Sequence, residues 1–192
     1  MRGYTPEVKS QHPQSIRPGA NNILGPVNAE PVLIADYDPK WVELYEVLRV
    51  RIAGALGSVA ATIEHVGSTA IPSLAAKPII DIDVLLAAES SLGEAISRLE
   101  EMGYVYQGNL GIAERDAFRA PAGDIPHHLY ICPPHSSEFR KHLAFRDYLR
   151  AHPEEAAAYG NLKRALALQF KDDRSAYTAG KGEFVAEILS RM

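Results

Sequence analysis

Two carboxylates, Asp81 and Asp83, stand two residues apart, and the first follows the dipeptide Gly67-Ser68 by thirteen positions counted from the serine. A glycine-serine turn at the end of an apolar strand brings backbone N–H groups close to a phosphate, because Gly67 has no Cβ to keep it away. Paired carboxylates on the next strand can hold a magnesium ion. Phosphate and metal are the ingredients of nucleotidyl transfer, and that is the chemistry this spacing points to.

The stretch Pro78 to Leu86 predicts a strand, and side chains two apart on a strand share a face. Asp81 and Asp83 therefore project together, while Ile80, Ile82 and Val84 point into a core and Ile79, Leu85 and Leu86 extend the apolar run. Two ionised carboxylates side by side repel each other unless a cation lies between them. That cation is either a divalent metal, Mg2+ or Mn2+, or a basic side chain such as Lys77 or an arginine beside a solvated strand face. Ser68 adds a hydroxyl or caps a short helix within Ala70 to Ala76, whose form Pro72 restricts.

Other residues extend the candidate set. His65, just before the turn, and its neighbour Glu64 lie on opposite strand faces, and either orders the turn or, for His65, meets phosphate. Lys77 enters the acidic strand and either binds phosphate or neutralises the aspartates. His128 and Tyr130 share a face of a later strand, which makes His128 a candidate metal ligand or simply polar strand surface. Arg146 and Arg150, four apart on a predicted helix, either clamp phosphate oxygens or pair with Asp147 or Glu154.

The Gly-Ser and D-x-D pair resembles the DNA polymerase beta-like nucleotidyltransferase superfamily. A closer resemblance, to the GrpB family, runs from about Val32 to the C-terminus. It is carried by Tyr37-Asp38-Pro39-Lys40-Trp41, Ile63 to Pro72, Ala76 to Ile82, Phe145 to Arg150, Leu162-Lys163 and Tyr177-Thr178-Ala179-Gly180-Lys181. The resemblance implies a nucleotidyltransferase fold and adds Lys163 and Lys181 as phosphate-binding candidates. Two departures stand out. Ser73 occupies a position where glycine is usual, which alters loop freedom, and Tyr130 replaces the second histidine of a His-Leu-His. The superfamily commonly uses a third carboxylate from a neighbouring strand; Asp116 falls on a predicted strand and Asp124 in a turn, and neither is a clear equivalent.

These residues need a scaffold. At 192 residues and 46% hydrophobic content the chain can build one good core or a core with a helical appendage. The expected class is α+β, a polymerase beta-like mixed sheet with flanking helices and a helical C-terminal part. Residues 1–30, with four prolines among polar residues, read as an extended or mobile leader; 31–134 as the nucleotidyltransferase-like core; 135–192 as a helical subdomain. Strands are predicted at 32–34, 59–66, 78–86, 103–107, 116–120 and 127–132. Helices are predicted from Asp38-Pro39, at 89–102, and near 136–151, 153–171 and 178–191. Trp41, Leu44, Tyr45 and Leu48 form a stripe that packs inward, Trp41 serving as a base-stacking platform only in the alternative.

Composition excludes several classes. The lone Cys132 rules out an internal disulfide and a cysteine-rich zinc site, and its apolar neighbours predict burial. No apolar leader or membrane-length run is present, so the expected location is cytoplasmic, with no membrane partner. A net charge of −4 gives no strong nucleic-acid signal, although residues 138–192 carry +2 and the rest −6. The expected activity is metal-dependent transfer of a nucleoside monophosphate from a nucleoside triphosphate to an unknown hydroxyl; the alternative is a non-catalytic nucleotide-binding or accessory module.

Overall fold

The computed structural model describes residues 32–191, so the expected leader lies outside the described residues. Helix α1 (Lys40–Leu56) starts where Asp38 Oδ1 accepts the Lys40 N–H at 3.0 Å. Its residues Trp41, Tyr45, Leu48, Ile52 and Leu56 recur at helical spacing and are all buried. Trp41 is therefore core and not a stacking platform; it meets Tyr37 edge to face at 5.5 Å. Burying a side chain such as Leu48 contributes roughly 1.5–3 kcal/mol.

Five strands form one mixed sheet: β1 (Ala60–Val66), β2 (Ile80–Leu86), β3 (Val105–Gly108), β4 (Asp116–Arg119) and β5 (His127–Cys132), in the order β1-β2-β5-β4-β3. The β2 and β5 strands run parallel and the other neighbours antiparallel. Helices α1 and α2 (Leu92–Glu101) share one core with Ile80, Ile82, Val84, Leu129 and Ile131. The α+β class and the sharing of one sheet by β1, β2 and β5 follow the sequence expectation. Cys132 is buried, and burial pushes its thiol up to about 12.

The C-terminal part comprises α3 (Ser137–Ala151), α4 (Pro153–Gln169), α5 (Arg174–Ala179) and α6 (Gly182–Ser190). Ser136 caps α3 by accepting the Phe139 N–H, and Pro153 occupies the first turn of α4, where its missing N–H costs nothing. A second core joins Leu149, Ala156 and Tyr159 of these helices to Ile71 and Leu74, which lie between β1 and β2. The helices thus hold the connection that carries Gly67 and Ser68.

Three local features differ from expectation or sharpen it. The single helix predicted at 178–191 is two, because Asp173 caps an earlier start by accepting the Ala176 N–H. Gly180 then packs so tightly that a Cβ there would lie 2.6 Å from Leu166 Cδ2. The strand predicted at 32–34 is reduced to one bridge between Ala35 and Ala76, since the Val32 N–H goes to the Lys171 carbonyl instead of a ladder. Ser73 has φ 65°, the left-handed region in which glycine is unstrained.

Candidate functional site

Strand β1 ends at Val66, and Gly67 turns the chain with φ 69° and ψ −170° into a single 3-10 turn, Ser68–Ala70. A Cβ on Gly67 would lie 2.2 Å from Oδ2 of Asp81, so the glycine is what allows the turn and the acidic strand to meet. His65 is buried, stacks on Tyr45 at 4.6 Å and places Nε2 3.0 Å from Thr69 Oγ1. Burial lowers its pKa to about 4, so the ring is neutral. It lines neither of the cavities beside Asp81. Its contacts to Tyr45 and Thr69 brace the turn.

Asp81 and Asp83 share one face of β2, in register with His128 and Tyr130 of β5. Asp81 is partly exposed and accepts a hydrogen bond from Nδ1 of His128 at 2.8 Å. Asp83 is fully buried; Oδ2 accepts from Nδ1 of His142 at 2.6 Å, while Oδ1 has no partner. Burial pushes the Asp83 carboxyl up despite the bond from His142. Burial lowers the imidazolium's pKa in turn, and the same bond more than offsets it, so His142 is raised overall.

Among the described residues no third carboxylate joins them. Asp116 pairs with Ile131, on the opposite sheet face from Asp83, and accepts from the Tyr106 hydroxyl; Asp124 is held bidentately by Arg51 at 2.8 and 2.7 Å. Among the described residues no three His, Cys, Asp or Glu side chains are grouped to hold a metal ion, so His128 completes no such set with the two aspartates.

On one side of Asp81 lies a cavity of about 80 Å3 lined by Ser68, Thr69, Lys77, His128, Lys163, Tyr177 and Lys181. Lys163 comes from the buried stripe of α4, and its Nζ has no hydrogen-bond partner. Burial, followed by the neighbouring Lys181 charge, lowers its pKa to about 7. Burial and nearby cations bring Lys77 down to about 8 and lower Lys181 as well. Lys77 and Lys181 lie 5.0 and 4.6 Å from the Tyr177 ring centroid.

Arg146 and Arg150 do not join this cavity. Arg146 donates to Glu64, Asp147 and the His65 carbonyl, and Arg150 donates twice to the Ala70 carbonyl at 3.0 and 2.7 Å. Their donors fasten α3 to the turn. The sequence reading missed His142, although it sits four residues before Arg146 on the face that α3 turns to the sheet. It also missed Arg115, which lies over the Tyr130 ring beside His142.

A sequence profile described as GrpB protein matches residues 31–191. The chain belongs to the GrpB family. It is 36% identical over 149 residues to the UPF0157 protein YqkA of Bacillus subtilis, covering 78% of this chain and 43% of that protein. A UPF0157 protein of Pseudomonas aeruginosa is 39% identical, with 80% and 64% covered; the chain thus spans less than two thirds of these two relatives. The crystal structure of GrpB from Enterococcus faecalis superposes with a TM-score of 0.76 at 34% identity, covering 83% of this chain and 96% of that one. Beyond GrpB, the Cid1 poly(U) polymerase bound to MgATP gives a TM-score of 0.54 at 12% identity over 77% of this chain and 50% of that one. That similarity establishes the shared nucleotidyltransferase fold.

Proposed function

We propose that this GrpB protein binds a nucleoside triphosphate and transfers its nucleoside monophosphate to a hydroxyl acceptor. The observation that carries this is buried Lys163, whose Nζ has no hydrogen-bond partner and meets the Tyr159 ring at 4.7 Å, beside Lys77, Lys181, Ser68 and Asp81. Gathering three lysines in one partly buried cavity is costly without an anion, and a polyphosphate supplies one. The turn supports the same reading, since Gly67 brings backbone close to Asp81 and Ser68 adds a hydroxyl at the cavity wall.

The residues present fit a magnesium or manganese ion of the kind held mainly by substrate phosphates. Such an ion needs only one or two carboxylates, and the buried Oδ1 of Asp83 lacks any donor. Asp81 and Asp83 would hold it, and when bound it would offset the charge that develops on the transferred phosphoryl group. The lysines neutralise the departing pyrophosphate, and His128 orients Asp81. The acceptor oxygen bonds to the α-phosphorus, the bond from that phosphorus to the bridging oxygen breaks, pyrophosphate leaves, and the hydroxyl proton passes to solvent.

One observation favours a second reading, a nucleotide-binding module without turnover: in register with the aspartates, β5 offers His128 and Tyr130 where a third acid would stand. Calorimetry of nucleoside triphosphates with and without Mg2+ or Mn2+, followed by pyrophosphate detection over mixed hydroxyl acceptors, separates the two. Binding with pyrophosphate release supports the transferase; metal-enhanced binding without release supports the module; no binding removes both.

A further inference from the structure

Asp81 also lines a second cavity, of about 190 Å3, together with Val66, Gly67, Arg115, Tyr130 and His142. It is distinct from the lysine cavity, and among the described residues Asp81 alone borders both. Its cation is Arg115, whose guanidinium lies 4.0 Å from the Tyr130 ring centroid and whose buried Nε–H has no hydrogen-bond partner. A guanidinium held over an aromatic ring by its charge still has N–H donors to offer a planar or tetrahedral oxyanion.

The position of Arg115 is built in. Glu114, the residue before it, adopts φ 59°, a strained conformation for a side chain other than glycine. Two bonds hold it there: its carbonyl accepts from Ser136 Oγ at 2.8 Å, and its carboxylate accepts the Ser137 N–H at 2.6 Å. The start of α3 is thereby tied to Arg115, and the same helix delivers His142 to the same cavity. The strain is spent on aiming one cation at a space bordered by the acidic strand.

We propose that this second cavity takes the acceptor, a small hydroxyl compound that carries a phosphate or carboxylate group gripped by Arg115 over Tyr130. The proposal rests on the triphosphate occupying the lysine cavity. With donor and acceptor in the two cavities that Asp81 borders, the acceptor hydroxyl meets the α-phosphorus beside Asp81; its oxygen forms the new P–O bond as pyrophosphate departs and its proton goes to solvent. The cavity volume suits a compound of a few carbons.

The test measures binding by calorimetry, with glycerol 3-phosphate and glycerate as probes and glycerol as their neutral counterpart. Working in a Lys163→Ala background removes the buried cation of the other cavity. Adding Arg115→Gln to that background is expected to weaken both anionic probes about tenfold or more, the loss of a charge-assisted fork. Adding Arg119→Gln, an exposed cation on β4, is expected to leave them unchanged, and glycerol is expected not to bind. Circular dichroism confirms folding; should Arg115→Gln not fold, Arg115→Lys keeps the charge but not the fork and still weakens the probes severalfold. Equal probe affinity with and without Arg115, no binding at millimolar probe, or an equal effect from Arg119→Gln overturns the proposal. Failure of the triphosphate reading appears separately, as Lys163→Ala without effect on triphosphate affinity.

Discussion

Gly67 and Asp81 sit so close that a Cβ on the first would overlap the carboxylate of the second, 2.2 Å from Oδ2. The glycine also holds φ 69°, so both its missing side chain and its conformation are used. Gly67→Ala is expected to push the Asp81 carboxylate out of place and to cost about 1–3 kcal/mol of stability. Triphosphate affinity should fall about tenfold or more. Thermal unfolding and calorimetry on the same variant check both, and an unchanged affinity would separate the turn from the site.

Lys163 links ligand binding to pH. Its pKa is about 7 in the folded protein against an ordinary 10.5, so between these values the unfolded chain binds the extra proton and stability rises with pH. Lys163→Met is expected to flatten that slope between pH 6.5 and 8.5 and to stabilise the ligand-free protein at pH 6.5 by on the order of 2 kcal/mol. Comparing the two proteins across that window cancels the alkaline effects of Cys132 and the tyrosines. Because a polyphosphate prefers the protonated lysines, triphosphate affinity should weaken as pH rises from 7 to 9, through the values of Lys163 and Lys77. An affinity flat over that range would remove the lysines from the binding site.

Asp81 and Asp83 should separate metal dependence from folding. Asp81→Asn is expected to abolish the gain in triphosphate affinity on adding magnesium or manganese while leaving the unfolding temperature within a few degrees. Asp83→Asn should abolish the same gain but at a cost in stability, since it removes the charged partner of His142 from a buried pair, so the Asp81 variant carries the separation. Calorimetry with and without metal is the measurement. A metal effect surviving in both variants would move the ion elsewhere.

His65 predicts acid sensitivity. With a folded pKa of about 4 against 6.5, it is neutral in the native state while the unfolded chain takes up a proton, so stability is lost as pH falls from 6.5 towards 4. The full loss from this residue is on the order of 3 kcal/mol. His127, also lowered by burial, adds to the same slope, and His142, raised overall, opposes it. His65→Asn should therefore be less stable at neutral pH but show a shallower acid slope by denaturant titration. Parallel slopes would mean that the ring is not buried neutral.

Much of the sheet could be read along the chain because its signals are local. The alternation from Ile80 to Val84 placed Asp81 and Asp83 on one face, and the helical spacing from Trp41 to Leu48 described a buried stripe, each by a period that neighbouring residues set among themselves. Lys163 and Lys181 entered only through the family-like motifs, because their spacing by itself reveals no role.

The cavities could not be read in the same way. Which cations line the site depends on which helix face turns inward and on what each donor already serves. Arg146 and Arg150 carry the same charge as Lys163, yet their donors are taken by Glu64, Asp147 and backbone carbonyls. His142 and Arg115 are 27 residues apart and meet only because Glu114 is bonded to the start of α3. Composition and spacing alone determined the acidic strand, the turn and the helical stripes, since these follow from periods of two and 3.6. Only tertiary structure decided that Asp81 borders both the cavity of the three lysines and that of Arg115, because long-range packing and the satisfaction of buried polar groups choose among side chains that the sequence leaves equivalent.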